Sequence, residues 1–220
     1  MPSRPPVVIV NGLNAPLLAA KAYGLALQAR GFRVFTVGLR RLGWGDLRAS
    51  ARDVAARVDR VRAETGARKV HLVGMSLGGL VGLYYLKCLG GGASVERFVS
   101  VGGPLNGSTL ARDLTRLLPL APDLLAQTRP GSDLLRELTA APPPEGVLLY
   151  SVGTRGDPLT PRSAWDASGL EPVETPYGCF PVGHWLLFVH PGNLKVVAEL
   201  LAAPAEDEGP HARWRPRSEG

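Results

Sequence analysis

Val70-His71-Leu72-Val73-Gly74-Met75-Ser76-Leu77-Gly78-Gly79 is the stretch that decides the fold. It reads as a buried strand over 69–73, one sharp turn, and a helix over 77–89. A strand this apolar is covered on both faces, as in a parallel sheet. The turn aims the Ser76 hydroxyl into solvent beyond the end of that strand. Gly74 and Gly78 flank it because the turn brings neighbouring backbone too close for a Cβ. The helix that starts at Leu77 points free backbone N–H groups at whatever binds beside the serine. One segment therefore offers a nucleophile, its mounting and part of an oxyanion site.

Outward from this segment, strands and helices alternate. Val7 to Val10 is an apolar strand, 16–30 a helix that Gly31 stops, and 33–37 a β-branched strand. Asp46 caps a helix running to Thr65, where Leu47, Ala51, Val54, Val58 and Val61 keep helical spacing and Gly66 ends it. Further strands are predicted over 95–101, 146–152 and 172–175, and a closing helix over 193–201. This alternation predicts an α/β fold, a mostly parallel six-stranded sheet with helices on both faces. Residues 1–203 form one domain. Leu-rich, Pro-punctuated residues 104–144 read as an insertion of short helices, and residues 204–220 as a disordered tail. Ligands of such sheets sit at the carboxyl ends of the strands, where Ser76 lies.

Composition narrows the class. The chain has 220 residues, enough for one well-buried core. No apolar run approaches the roughly 20 residues that cross a bilayer, and the run Val7 to Val10 is too short for a signal-peptide core and lacks a small-residue cleavage site. These features predict a cytoplasmic protein, with the trimmed mature form of a secreted one as the alternative. The net charge of +6 comes from dispersed arginines. Arg48, Arg52, Arg57, Arg60 and Arg62 share a helix with Asp53, Asp59 and Glu64, a solvated face of mixed ion pairs. No nucleic-acid motif or zinc spacing is present, so no nucleic-acid partner is expected. Contact with anionic lipid is the lesser reading of the charge. Cys88 and Cys179 form no CxxC pattern and read as free buried thiols, or as one disulfide in an oxidising compartment.

A serine hydroxyl needs a base, and the base an orienting carboxylate, which in this turn type follow the serine in the order acid, then histidine. Asp157, in Gly153-Thr154-Arg155-Gly156-Asp157-Pro158 directly after a strand, is the favoured acid over Asp166, Glu171 and Glu174. Asp113, Asp123 and Asp133 fall in the insertion. Of four histidines, His71 lies inside a strand and His211 in the tail. His184, in a loop before the last helix, is favoured over His190, which reads as a helix-entry residue. The oxyanion donors are the N–H of Leu77 and, from the loop Asn11-Gly12-Leu13-Asn14, the N–H of Leu13.

These segments resemble the α/β-hydrolase superfamily, and within it the small bacterial lipases and esterases. Val7-Val8-Ile9-Val10-Asn11-Gly12 is similar to their oxyanion strand and loop, Gly74-Met75-Ser76-Leu77-Gly78-Gly79 to their nucleophile elbow, and Gly183-His184-Trp185-Leu186-Leu187 to their histidine loop. Gly102-Gly103-Pro104-Leu105-Asn106-Gly107-Ser108 is similar to their Gly-Thr-Pro-His-His-Gly-Ser segment. The chain departs from that pattern at Asn11, Gly103, Leu105 and Asn106. The resemblance covers residues 7–201 and implies a minimal six-stranded hydrolase. It implies a serine carboxylic ester hydrolase that acts on a small-molecule, lipidic ester through Ser76, His184 and Asp157, without a cofactor or metal. Leucines 110, 114, 117, 118, 120, 124, 125, 134, 135 and 138 read either as an apolar cap over the site or as helix packing on the sheet. Acyl transfer and thioester or amide cleavage with the same three residues, or a non-catalytic binding protein on this fold, are the alternatives.

Overall fold

A computed structural model describes residues 4–14, 17–108, 122–167 and 169–203. Its strands are β1 (Val7–Val10), β2 (Val34–Val37), β3 (Val70–Met75), β4 (Val95–Val101), β5 (Leu148–Gly153) and β6 (Glu171–Glu174). Its helices are α1 (Leu17–Gln28), α2 (Leu47–Thr65), α3 (Leu77–Cys88), α4 (Pro122–Thr128), α5 (Asp133–Ala140), α6 (Arg162–Trp165), α7 (Gly183–Val189) and α8 (Pro191–Ala202). The strands make one sheet in the order β2-β1-β3-β4-β5-β6, parallel at every pairing. From β1 the chain steps outward to β2, then returns past β1 to β3 and continues the other way. The direction therefore reverses between β1 and β3, and their carboxyl ends flank the crevice where ligands of such sheets bind.

Side-chain alternation divides the core into two layers. Val8 and Val10 of β1, Leu72 of β3 and Phe98 of β4 pack with Val54, Val58 and Val61 of α2 and Leu80 and Leu83 of α3. Val7, Ile9, Val73, Val99 and Val101 face the other way, toward Tyr23 of α1, Leu187 and Phe188 of α7, and Val197 and Leu200 of α8. Both faces being covered explains why β1 is apolar throughout and why β3 and β4 carry apolar residues on both faces. The ends of α2 follow the sequence: the Asp46 carboxylate accepts the Arg48 N–H at 2.9 Å, and Gly66 closes the helix at φ 70°. Such an N-cap contributes about 1 kcal/mol. The arginines of α2 pair as a mixed surface, Arg57 with Glu64 at 3.6 Å and Arg62 with Asp59 at 3.5 Å.

The described helices of the insertion pack rather than cover. Leu124 of α4 and Leu134, Leu135 and Leu138 of α5 join the α2–α3 layer of the core. The Glu137 carboxylate accepts from the Arg48 guanidinium at 2.7 and 3.0 Å and from the Tyr84 hydroxyl at 2.7 Å. Gln127 Oε1 accepts the Leu47 N–H at 2.8 Å. These bonds bind α4 and α5 to the flank of α2 and α3. Residues 109–121, with Asp113 and Leu110 to Leu120 of the suggested cap, and residues 204–220, with His211, lie outside the described residues. Cys88 and Cys179 are both free thiols, and Cys179 is exposed instead of buried because it lies in a surface loop. Among the described residues, no helix is long and apolar enough to cross a membrane.

At the amino ends of the central strands, His71 sits in register with Arg97. Both are buried. The Arg97 guanidinium donates to the carbonyls of Leu200 at 2.7 Å and Ala203 at 2.6 Å, satisfying groups left open at the end of α8. Burial first, and the Arg97 charge second, push His71 down to about 4. In the unfolded chain a histidine takes up its proton near pH 6.5. The folded state therefore loses stability as the pH falls from about 6.5 toward about 4, by up to about 3 kcal/mol. Urea midpoints measured from pH 7 to pH 4.5 should fall steeply in the wild type and much less in His71→Leu; parallel curves would contradict this.

Candidate active site

Ser76 follows β3 and precedes α3 with φ 50° and ψ −124°, a conformation that a residue bearing a side chain rarely adopts. It costs on the order of 1–3 kcal/mol and persists only where the surroundings impose it. Here the backbone does so. The Ser76 N–H donates to the Val101 carbonyl at 2.8 Å, and the Ser76 carbonyl accepts the Gly79 N–H at 2.8 Å. A Cβ on Gly74 would lie 2.5 Å from Gly79 Cα, and one on Gly78 would lie 2.6 Å from the Asn11 carbonyl. The two glycines of the pentapeptide are thus required by contact. Ser76 itself remains half-buried, with its hydroxyl at the rim of the sheet.

The structure brings Ser76, His184 and Asp157 together. His184 Nε2 lies 3.0 Å from Ser76 Oγ, and His184 Nδ1 lies 2.7 Å from Asp157 Oδ2. An ionised carboxylate only accepts, so Nδ1–H donates to Asp157 and Nε2 presents its lone pair to the serine hydroxyl. Asp157 is buried. Burial opposes its charge, but the hydrogen bond and charge of His184, followed by the bonds from Thr160, outweigh it and hold the carboxyl below its ordinary range. Its Oδ1 accepts the Leu159 and Thr160 N–H groups at 2.8 and 2.9 Å. His184 stands in the first turn of α7 and not in a loop. His184, Leu187 and Phe188 are spaced as one helical face, and the latter two pack into the core; that spacing was the available signal. Gly183 makes the approach possible, because a Cβ there would strike the Gly156 carbonyl and come within 2.8 Å of the Asp157 nitrogen.

The loop after β1 closes the other side. A Cβ on Gly12 would lie 2.9 Å from the Met75 carbonyl and 3.0 Å from Ser76 Cβ, so this loop lies against the Ser76 turn. Asn14, at φ 44°, donates its N–H to the Leu42 carbonyl at 2.8 Å, and its Oδ1 accepts from Trp44 Nε1 at 2.8 Å. The short 3-10 turn Arg40–Gly43, which the sequence reading missed, thus braces the loop. Neither the Leu13 nor the Leu77 amide donates to a protein acceptor among the described residues. Leu77 N–H is free because it opens α3.

The rejected candidates have other tasks. His190 Nδ1 accepts the Gly192 N–H at 3.1 Å, and its ring stacks on Tyr177, so it caps α8. Asp166 pairs with Arg162, and Glu174 with Arg155 and Arg162. Asp133 pairs with Arg136. Among the described residues no three metal-ligating side chains cluster. Thr160 was missed: its hydroxyl donates to Asp157 Oδ2 at 2.6 Å. An aspartate followed three residues later by threonine in a turn was the only hint.

Comparison with known proteins agrees with this architecture. A family profile described as "alpha/beta hydrolase fold" matches residues 5–139, and the chain belongs to the α/β-hydrolase fold family. Its fold is similar to that of Bacillus licheniformis lipase BlEst2 in its mature form, at a TM-score of 0.75 and 18% identity over 91% of this chain and 93% of that one. It is also similar to phospholipase PlaB from Legionella pneumophila, with a TM-score of 0.66 and 12% identity over 92% and 61% of the two chains. A pyrethroid hydrolase from Sphingobium faniae JZ-2 matches at 0.59 and 15% identity over 92% and 99%.

A methyl group at position 183 has no room between α7 and the Asp157 loop. Gly183→Ala should therefore part His184 from Asp157. Labelling of Ser76 by a fluorophosphonate probe should slow by about tenfold or more, for a loss on the order of 1.4 kcal/mol in the barrier, in protein that circular dichroism still shows folded.

Proposed function

We propose that the protein is a serine carboxylic ester hydrolase. The observation that carries this reading is the continuous hydrogen-bonded line from Ser76 Oγ to His184 Nε2 at 3.0 Å and from His184 Nδ1 to Asp157 Oδ2 at 2.7 Å. Ser76 Oγ attacks the ester carbonyl while His184 Nε2 takes its proton. Asp157 stays ionised, holds the ring and stabilises the imidazolium. The Leu13 and Leu77 amides face the oxyanion of the tetrahedral intermediate. His184 then returns the proton to the departing alkoxide, which leaves the acyl group on Ser76. Water, deprotonated by the same nitrogen, attacks that acyl-enzyme and releases the acid. No step needs a metal or cofactor.

Ser76→Ala should lower hydrolysis of 4-nitrophenyl esters by at least about a thousandfold, and Asp157→Asn by a comparable factor through the wrong imidazole tautomer. Equal rates in wild type and Ser76→Ala would reject the reading. Competing alcohols in the same assay distinguish hydrolysis from acyl transfer, and thioester and amide analogues test the other leaving groups.

An apolar, lipidic ester is the favoured substrate, and the observation behind it is the rim. Several of the strongly exposed large apolar residues among those described lie in segments that hold or brace the site residues. Leu42 (65%) lies on the turn that braces the Leu13 loop, Phe180 (78%) in the loop before α7, and Trp185 (52%) beside His184. Leu159, two residues after Asp157, and Val182, two residues before His184, are also exposed. Exposed apolar side chains in the segments that carry a site are what an apolar substrate or a lipid surface would contact. Replacing Phe180 by Ser should lower kcat/KM for 4-nitrophenyl decanoate several-fold more than for the acetate. It should also reduce sedimentation with phosphatidylglycerol vesicles. A uniform loss across chain lengths would argue against an apolar acyl site.

A further inference from the structure

We infer that Thr160 is a positioning residue of this site: its hydroxyl locks the Asp157 carboxylate and shares the oxygen that accepts the His184 proton. This rests on the hydrolase reading above. Asp157 Oδ2 receives Thr160 Oγ–H at 2.6 Å and His184 Nδ1–H at 2.7 Å. Asp157 Oδ1 receives the Leu159 and Thr160 amides at 2.8 and 2.9 Å. A carboxylate oxygen has two lone-pair directions. All four are thereby filled, so the group cannot rotate without breaking a bond. Asp157 and Thr160 are both buried, which leaves no ready water to take the hydroxyl's place.

The shared oxygen gives Thr160 a second effect. A hydroxyl that donates to Oδ2 draws charge from it, and so weakens its hold on the imidazolium that forms as Ser76 attacks. The imidazole faces the Asp157 carboxylate and the Thr160 hydroxyl, whose Oγ is 3.4 Å from Nδ1. It also faces the Ser76 hydroxyl, Gly102, and the rings of Trp185 and Phe188 on its own helix. Asp157 carries the charge in that set. Removing the hydroxyl concentrates that charge on the imidazole. The acid limb of the activity profile then moves to higher pH, because charge on the ring is better stabilised.

The experiment compares Thr160→Val and Thr160→Ser in the full chain. Hydrolysis of 4-nitrophenyl butyrate is followed across pH, and the downfield proton resonance of His184 Nδ1–H is recorded in a Ser76→Ala background, which needs no turnover. Thr160→Val should lower kcat about three- to tenfold at unchanged KM, shift the acid limb upward and move the resonance further downfield. Thr160→Ser should restore all three. Wild-type kcat, limb and resonance in Thr160→Val would overturn the proposal, as would a fall in Tm alone or a serine variant that behaves like valine. If no ester is cleaved by any form, the hydrolase reading falls, and the resonance alone still decides whether Thr160 positions the pair.

Discussion

The backbone of Ser76 is held at φ 50°, ψ −124° by close packing between main-chain segments, and the rest of the site is arranged around that one residue. Gly78 lies against the carbonyls at the end of β1, Gly74 against Gly79, and Gly12 against Met75 and Ser76. These contacts have no slack for a methyl group. They fuse the β1 loop, the β3 turn and the start of α3 into one unit, so the serine hydroxyl, the Leu13 loop and the Leu77 amide cannot drift independently. Pre-arranged donors act without reorganising at the moment of reaction, and their effect depends on that rigidity. The strain at Ser76 is affordable because the strands beneath are buried on both faces.

The partner groups reach the serine by an independent route. Asp157 follows β5 and His184 opens α7, and the two loops meet where Gly183 rests on the Gly156 carbonyl. Leu187 and Phe188 anchor α7 in the core three and four residues beyond the histidine. Core packing of Leu187 and Phe188 therefore sets the direction of the imidazole, which shares their helical face. Asp157 is fixed from its own turn by Leu159 and Thr160. Asp157 is oriented locally and His184 by tertiary packing, so a change to either support acts on the 2.7 Å bond that joins them.

How much of this was legible follows from where the information lies. Strand β1 is uniformly apolar, β3 nearly so, β4 carries its apolar residues on both faces, and the helix from Asp46 to Gly66 carries its own cap and stop; each is encoded within its own residues. The elbow glycines announce a close approach, although not what approaches. His184 was placed in a loop because Gly183 and the prolines before it hid a helix of only seven residues. The short turn at Arg40–Gly43 depends on positive φ at Arg41 and Leu42, which neither residue type advertises. The fate of Leu124, Leu134, Leu135 and Leu138 depended on which neighbour they would meet. The bond from Thr160 to Asp157 is short in sequence, but its importance depends on the imidazole 24 residues away from the threonine.

The two histidines His71 and His184 make the same point in chemical terms. Both are buried. His71 shares a register with Arg97 at the amino ends of the strands, where a cation and the lack of water keep it neutral. His184 faces a carboxylate and a hydroxyl at the carboxyl ends, where a transient positive charge has a partner waiting. β3 joins the two environments: His71 is its second residue, and Ser76 follows its last. The parallel sheet thus keeps a buried cation at one end, where it supports α8, and the hydrogen-bonded line of Ser76, His184 and Asp157 at the other. The Arg97 charge is held a strand's length away from the His184 imidazole.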